Sequence, residues 1–122
     1  MKKTFCLIVC CLLLCSCGSD KKGEKAVVQS VTCSEMKELV KDGAVLVDVR
    51  TLAEFKSGHL DEAVNLPVET IADTIGNEIS DKDTKIVLYC RSGNRSATAG
   101  QTLIDMGYKN VYDMGGISNC EE

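Results

Sequence analysis

The sequence predicts an α/β domain of three layers, a mostly parallel sheet of about five strands with helices on both sides. Two kinds of segment point there. Ile86-Val87-Leu88-Tyr89 and Val45-Leu46-Val47-Asp48-Val49 are apolar runs without alternation, Asp48 being the one interruption. Such runs suit strands buried on both faces, as in parallel sheets. Around them lie segments whose apolar residues recur at helical spacing, with capping signals at their ends.

Met1-Lys2-Lys3 is basic, and Thr4 to Cys15 is mostly apolar and uncharged. The run falls short of the roughly 20 residues that span a bilayer, so residues 1–16 read as a secretory signal peptide. Its end, Leu14-Cys15-Ser16-Cys17-Gly18, resembles a bacterial lipobox. That resemblance implies a lipidated Cys17 and a domain exported and anchored by lipid to a bacterial membrane, on the periplasmic or cell-surface side. Residues 17–26 then form the lipidated cysteine and a flexible polar tether, and residues 27–122 the folded domain.

Within the domain, Val27-Val28 to Val31 predicts a short first strand. Thr32-Cys33-Ser34-Glu35 matches a capping box, starting a helix that runs to about Lys41 and ends at Asp42-Gly43. The strand at 45–49 follows. Val64-Asn65-Leu66 predicts a further short strand closed by Pro67. Ile71, Ile75 and Ile79 are spaced by four, giving a weak amphipathic helix over 69–79, broken near Gly76. Ser80 to Lys85 is a polar turn into the strand at 86–89. From Ser96 to Met106, Ala97, Gly100, Leu103 and Ile104 lie on one helical face, and Gly107 stands where a left-handed cap would stop it.

Charge excludes some partners. The net charge is −4 and becomes more negative by two once Lys2 and Lys3 leave with the signal. Nothing basic invites nucleic acid. Of the eight cysteines, Cys6, Cys10, Cys11 and Cys15 depart and Cys17 takes lipid, which leaves Cys33, Cys90 and Cys120. This is no disulfide scaffold. The number is odd, so at least one thiol stays free unless chains pair. Cys33 reads as a helix-start or packing residue; Cys120 could fray, pair or act as a resolving thiol.

Cys90 is the chemically placed one. It ends the 86–89 strand and precedes Arg91-Ser92-Gly93-Asn94-Arg95-Ser96, a short loop leading into a helix. Backbone N–H groups at a helix start, and a turn that Gly93 permits, direct partial positive charge at one spot. A thiol there loses its proton more easily, and Arg91 and Arg95 lower its pKa further.

Cys90-Arg91-Ser92-Gly93-Asn94-Arg95-Ser96 resembles the active-site loop of the rhodanese-like sulfurtransferases, whose pattern is Cys-x-x-Gly-x-Arg. The related phosphatases need the arginine one residue later, where this chain has Ser96. A second match lies upstream, in Asp48-Val49-Arg50, Glu54-Phe55 and Gly58-His59-Leu60. A third is Gly107 to Ile117, which is similar to the family's closing strand and double-glycine turn. The chain departs from the pattern in Leu60-Asp61-Glu62-Ala63, where isoleucine-proline-glycine-alanine is common, and in having Cys120 where a tryptophan often follows.

The resemblance implies a sulfurtransferase that moves a sulfane sulfur from a donor such as thiosulfate, through a persulfide on Cys90, to a thiol or cyanide acceptor. Backbone N–H groups from Arg91 to Ser96 would stabilise the charge on sulfur, and Arg91 and Arg95 would orient the anionic donor, Arg95 also bracing the loop. Arg50 is expected to pair with Glu54 or with Asp48 and to order the loop. His59 is expected to pack and hydrogen-bond in a turn rather than serve as a base for Cys90. No zinc spacing, P-loop or dinucleotide fingerprint is present, so no metal or cofactor is expected, and the domain is expected to be a monomer. Two other readings remain open. One is a carrier or redox relay fed by a periplasmic thiol-redox protein, with Cys120 resolving; the other is a non-catalytic anion-binding lipoprotein.

Overall fold

The computed structural model describes residues 26–121. The expected signal peptide, Cys17 and nearly all of the tether lie outside the described residues. From Gln29 onward the elements run β1 (Gln29–Ser30), α1 (Cys33–Lys41), β2 (Val45–Asp48), α2 (Leu52–Lys56), β3 (Val64–Asn65), α3 (Ile71–Glu78), β4 (Lys85–Cys90), α4 (Asn94–Asp105) and β5 (Asn110–Gly116), followed by a 3-10 turn at Ile117–Cys120. The five strands form one sheet in the order β1-β5-β4-β2-β3, every described pair parallel.

The lack of alternation in β2 and β4 has a direct cause, since both faces of the sheet are covered. Val47, Ile86, Leu88 and Cys90 point into a cluster with Ile71, Ile75, Ala99 and Leu103, which come from α3 and α4. Leu46, Val87 and Tyr89 point the other way, against Met36 of α1 and Met114, with Leu39, Ile117 and Cys120 packed alongside. Leu88 has no exposed surface. Cutting such a side chain back to alanine costs about 2–5 kcal/mol.

Helix starts follow the capping chemistry. Thr32 Oγ1 accepts from Glu35 N at 3.1 Å while Thr32 N donates to Glu35 Oε1 at 2.9 Å, so α1 begins as the sequence predicts. The same arrangement at Thr51 and Glu54 opens α2, a helix not expected from the sequence. The expected break near Gly76 does not occur. α3 runs through it, because Ile71 and Ile75 are fully buried on one side and the Gly76 face meets nothing. α4 begins two residues earlier than expected, at Asn94, because Gly93 takes the left-handed conformation as its N-cap.

The double glycine also falls elsewhere. Gly115 and Gly116 end β5 rather than forming a turn after it. Leu88 pairs with Asp113 but Tyr89 pairs with Gly115, so one residue of β5 bulges and the register slips. Bulges of this kind re-aim a strand beside a site. Here the slip sets Gly116 opposite Cys90.

Candidate active site

Cys90 closes β4 and Gly93 opens α4, so the thiol lies between a strand's end and a helix's beginning. The Gly93 N–H donates to Cys90 Sγ at 2.9 Å. That inward N–H depends on φ +103° at Gly93, a conformation that costs residues with a Cβ about 1–2 kcal/mol. Ser96 Oγ stands 3.5 Å from Sγ and 3.2 Å from the Gly93 carbonyl. A hydroxyl has one proton to give. With Cys90 a thiol, it donates to Gly93 while accepting from sulfur; with Cys90 a thiolate, it can turn to donate to sulfur. Burial pushes the Cys90 thiol up, but the Ser96 hydroxyl and the N–H groups of Ser96, Gly93 and Ser92 outweigh it and bring the thiol below its ordinary value.

The loop rests on bare backbone. A Cβ on Gly116 would lie 2.6 Å from the Arg91 carbonyl oxygen and 3.4 Å from Ser92 Cα, well inside van der Waals contact. Sequence reasoning assigned this glycine to a turn, and only the bulged register reveals its place.

Asp48 and Arg50 form the second element. The fully buried Asp48 carboxylate accepts from Arg50 N at 2.8 Å and, through Nε and Nη2, from its guanidinium at 2.7–3.0 Å. Arg50 Nη2 also donates to the Gly58 carbonyl at 2.7 Å, and Leu60 N donates to the Tyr89 hydroxyl at 3.1 Å. The end of β2, through Arg50, and β4, through Tyr89, are thereby tied to the 58–60 turn. Of the two partners expected for Arg50, Asp48 is the one it has.

Glu54 turns instead to Arg95. Arg95 Nη1 and Nη2 reach Glu54 Oε1 and Oε2 at 2.8 and 3.1 Å, a bidentate bridge from α4 to α2. The Arg95 guanidinium, then the Thr51 N–H, hold the Glu54 carboxyl down to about 2. Arg95 therefore braces the loop helix, and its fork is occupied. Nothing in the sequence links two residues 41 apart, which is why Glu54 was missed as a brace. Arg91 is exposed and has no ion pair among the described residues. It lines a cleft of about 490 Å³ with Arg50, Glu54, Ile117, Ser118 and Glu121. Arg91 and Ile117 directly follow Cys90 and Gly116, which are paired in register, so this cleft opens where β4 and β5 end. Ser92 on the loop and Asn94 at the first position of α4 are exposed.

His59 is engaged elsewhere. Its Nδ1 lies 2.9 Å from the Phe55 carbonyl and its ring stacks on Phe55 at 3.7 Å. Cys33 and Cys120 are joined in a disulfide, and Cys90 is the free cysteine among the described residues. Cys33 does begin α1, but packing is not its whole part, and Cys120 in this state is no resolving thiol. No group of metal-ligating side chains is assembled among the described residues.

Fold and site together define a parallel α/β domain that sets a cysteine, its thiol below the ordinary value, between a strand's end and the head of a helix. Residues 32–122 match the family described as rhodanese-like domain, and the chain belongs to that family. It is 40% identical over 78 residues to the thiosulfate sulfurtransferase GlpE of Pseudomonas savastanoi pv. phaseolicola, covering 64% of this chain and 72% of that one. It is 36% identical over 95 residues to the tRNA uridine(34) hydroxylase of Hamiltonella defensa, covering 73% of this chain but 27% of the hydroxylase. The chain thus spans about a quarter of that relative's length. A solved structure described as rhodanese with anions from E. coli superposes with a TM-score of 0.62 at 28% identity, over 65% of this chain and 93% of that chain.

Proposed function

We propose that this protein is a sulfurtransferase that works through a persulfide on Cys90, with thiosulfate or a similar anion as donor. The observation that carries the reading is the Gly93 N–H at 2.9 Å from Cys90 Sγ, in a loop whose donors bring the thiol below its ordinary value. The Cys90 thiolate attacks the sulfane sulfur, the bond from that sulfur to the sulfonate sulfur breaks, and sulfite leaves with the electron pair. The same N–H groups stabilise the negative charge carried by the terminal sulfur. Arg91, with no ion pair among the described residues, draws the donor into the cleft, while Arg95 and Arg50 hold the loop and the strand end. A thiol or cyanide then takes the outer sulfur and restores the thiolate. The relatives named thiosulfate sulfurtransferase support this class of reaction. The basic start, apolar run and Leu14-Cys15-Ser16-Cys17 support an exported, lipid-anchored location.

Intact mass before and after thiosulfate, alongside Cys90→Ser, tests the mechanism. A gain of about 32 Da, removed by cyanide and absent in the variant, is expected of the persulfide. No gain, with Cys90 still alkylated by iodoacetamide, would refute it in favour of a carrier loaded by a protein partner.

A further inference from the structure

The 117–120 turn stands between two cavities. Ile117 and Ser118, with Glu121 beyond them, line the cleft at the Cys90 loop. Cys120 lines the other cavity, of about 600 Å³, with Lys37, Lys41, His59, Asp61 and Glu62 among its walls. The turn's own polar ties are local. Asn119 Nδ2 donates to the Met114 carbonyl of β5 at 2.8 Å, and Glu121 N to Ser118 within the turn at 3.1 Å. Among the described residues, and beyond the packing of Ile117 and Cys120, its hold on α1 is the Cys33–Cys120 disulfide. Cys120 is only half-buried and faces a cavity large enough for a small dithiol.

We propose that Cys33–Cys120 is a second thiol–disulfide site of this protein, reduced through the α1 cavity by a dithiol, whose state sets how tightly the cleft beside Arg91 holds an anion. The anion's role as sulfur donor rests on the function proposed above. In the exchange, one thiolate of the dithiol attacks Cys120 Sγ and the Cys33–Cys120 bond breaks, Cys33 leaving as a thiolate that takes a proton. The dithiol's second thiolate then attacks the mixed disulfide, closing its own disulfide and releasing Cys120 as the second thiol. Two electrons pass to the protein, and the reductant is oxidised. Reduction removes the covalent tie that holds the cleft wall at Ile117 and Ser118, so the anion is held more weakly.

The test uses the full chain, equilibrated in dithiothreitol buffers of graded potential and then alkylated and mapped by peptide mass. Cys33 and Cys120 should become alkylatable together and reversibly. Protection of the Cys90 peptide from iodoacetamide by sulfate, an inert anion, is then measured in both forms. Reduction should weaken protection about fivefold, at the low end of ordinary coupling between sites. By reciprocity, saturating sulfate should lower the midpoint potential by about 20 mV, tenfold being 29.6 mV for a two-electron couple. The Cys33→Ser/Cys120→Ser variant should match the reduced protein. A disulfide that resists dithiothreitol in the folded chain overturns the proposal. So does equal protection in both forms, or none in either. A protein that gains sulfur from thiosulfate yet shows equal protection keeps the sulfurtransferase reading and loses this one.

Discussion

Glu54 does two jobs, and they can be separated. Its Oε1 accepts from Thr51 N at 3.0 Å to cap α2, and both carboxylate oxygens hold the Arg95 fork. An unfolded glutamate titrates near 4.3, whereas Arg95 and Thr51 hold this one to about 2. A carboxyl depressed on folding adds stability that is fully present above the unfolded value and is lost as pH falls through about 4 toward 2. Dry, the Arg95 pair and the Thr51 cap together would contribute about 3 kcal/mol on that interval. With 25% of the Glu54 side chain and 31% of Arg95 exposed, solvent screening reduces the two together to about 1–1.5 kcal/mol. Glu54→Gln keeps an acceptor for Thr51 and should lose about 1 kcal/mol; Glu54→Ala loses that acceptor too and should lose the whole, about 1.5 kcal/mol. Urea unfolding at pH 7 of Glu54→Gln, Arg95→Met and the double variant gives the coupling directly. A coupling under about 0.3 kcal/mol would refute the bridge as a brace. A wild-type stability that falls no faster than that of Glu54→Gln between pH 5 and pH 3 would do the same.

Three further expectations follow from single contacts. Ser96→Ala removes the hydroxyl that lowers the Cys90 thiol, so the midpoint of iodoacetamide reactivity against pH should rise relative to wild type; an unchanged midpoint would remove Ser96 from the cradle. Gly116→Ala places a methyl 2.6 Å from the Arg91 carbonyl; it should cut sulfur transfer at least tenfold, about 1.4 kcal/mol of barrier, while far-ultraviolet circular dichroism keeps the native helix content, and wild-type turnover would show the contact to be slack. Glu62 is the non-glycine residue at positive φ among the described residues, +70°, where glycine is common in the family pattern, so Glu62→Gly should raise stability by about 1 kcal/mol in urea unfolding; a loss would mean that the glutamate side chain contributes more than its backbone costs.

What was legible in the sequence was local. The buried strands announce themselves because both sheet faces are covered, and α1 because Thr32 and Glu35 are three residues apart. α2 carried the same threonine–glutamate spacing at Thr51 and Glu54, so its signal was present and passed over. Asp48, a carboxylate inside an apolar run, was one of two partners the sequence offered Arg50, and only the structure decides for it over Glu54. The Cys90 loop was readable as a unit because the whole cradle spans seven residues. The Glu54–Arg95 bridge, the Gly116 contact and the Cys33–Cys120 bond all join residues distant in sequence. Each depends on strand order, on the bulge after Leu88, or on where α1 meets the 117–120 turn, and none of these follows from spacing along the chain.

The disulfide also bears on why the chain manages without the aromatic that the family pattern often has after the double glycine. Cys33 and Cys120 pack at the edge of the cluster formed by Met36, Val87, Tyr89 and Met114, so the bridge covers part of that face with two small side chains and holds it covalently. Its span is large, the bonded residues being 87 apart. In the chain-entropy model, closing such a loop restricts the unfolded state by about 4.5 kcal/mol at 25 °C. Domains of this size have only about 5–15 kcal/mol in hand. Reduction should therefore leave a domain that stays folded at 25 °C but melts about 20 °C lower, which is the window in which the redox titration described above reads a folded protein. Thermal unfolding of wild type against Cys33→Ser/Cys120→Ser checks it. A melting point lowered by less than about 5 °C, roughly 1 kcal/mol, would show that the bond restricts the unfolded chain far less than its 87-residue span implies.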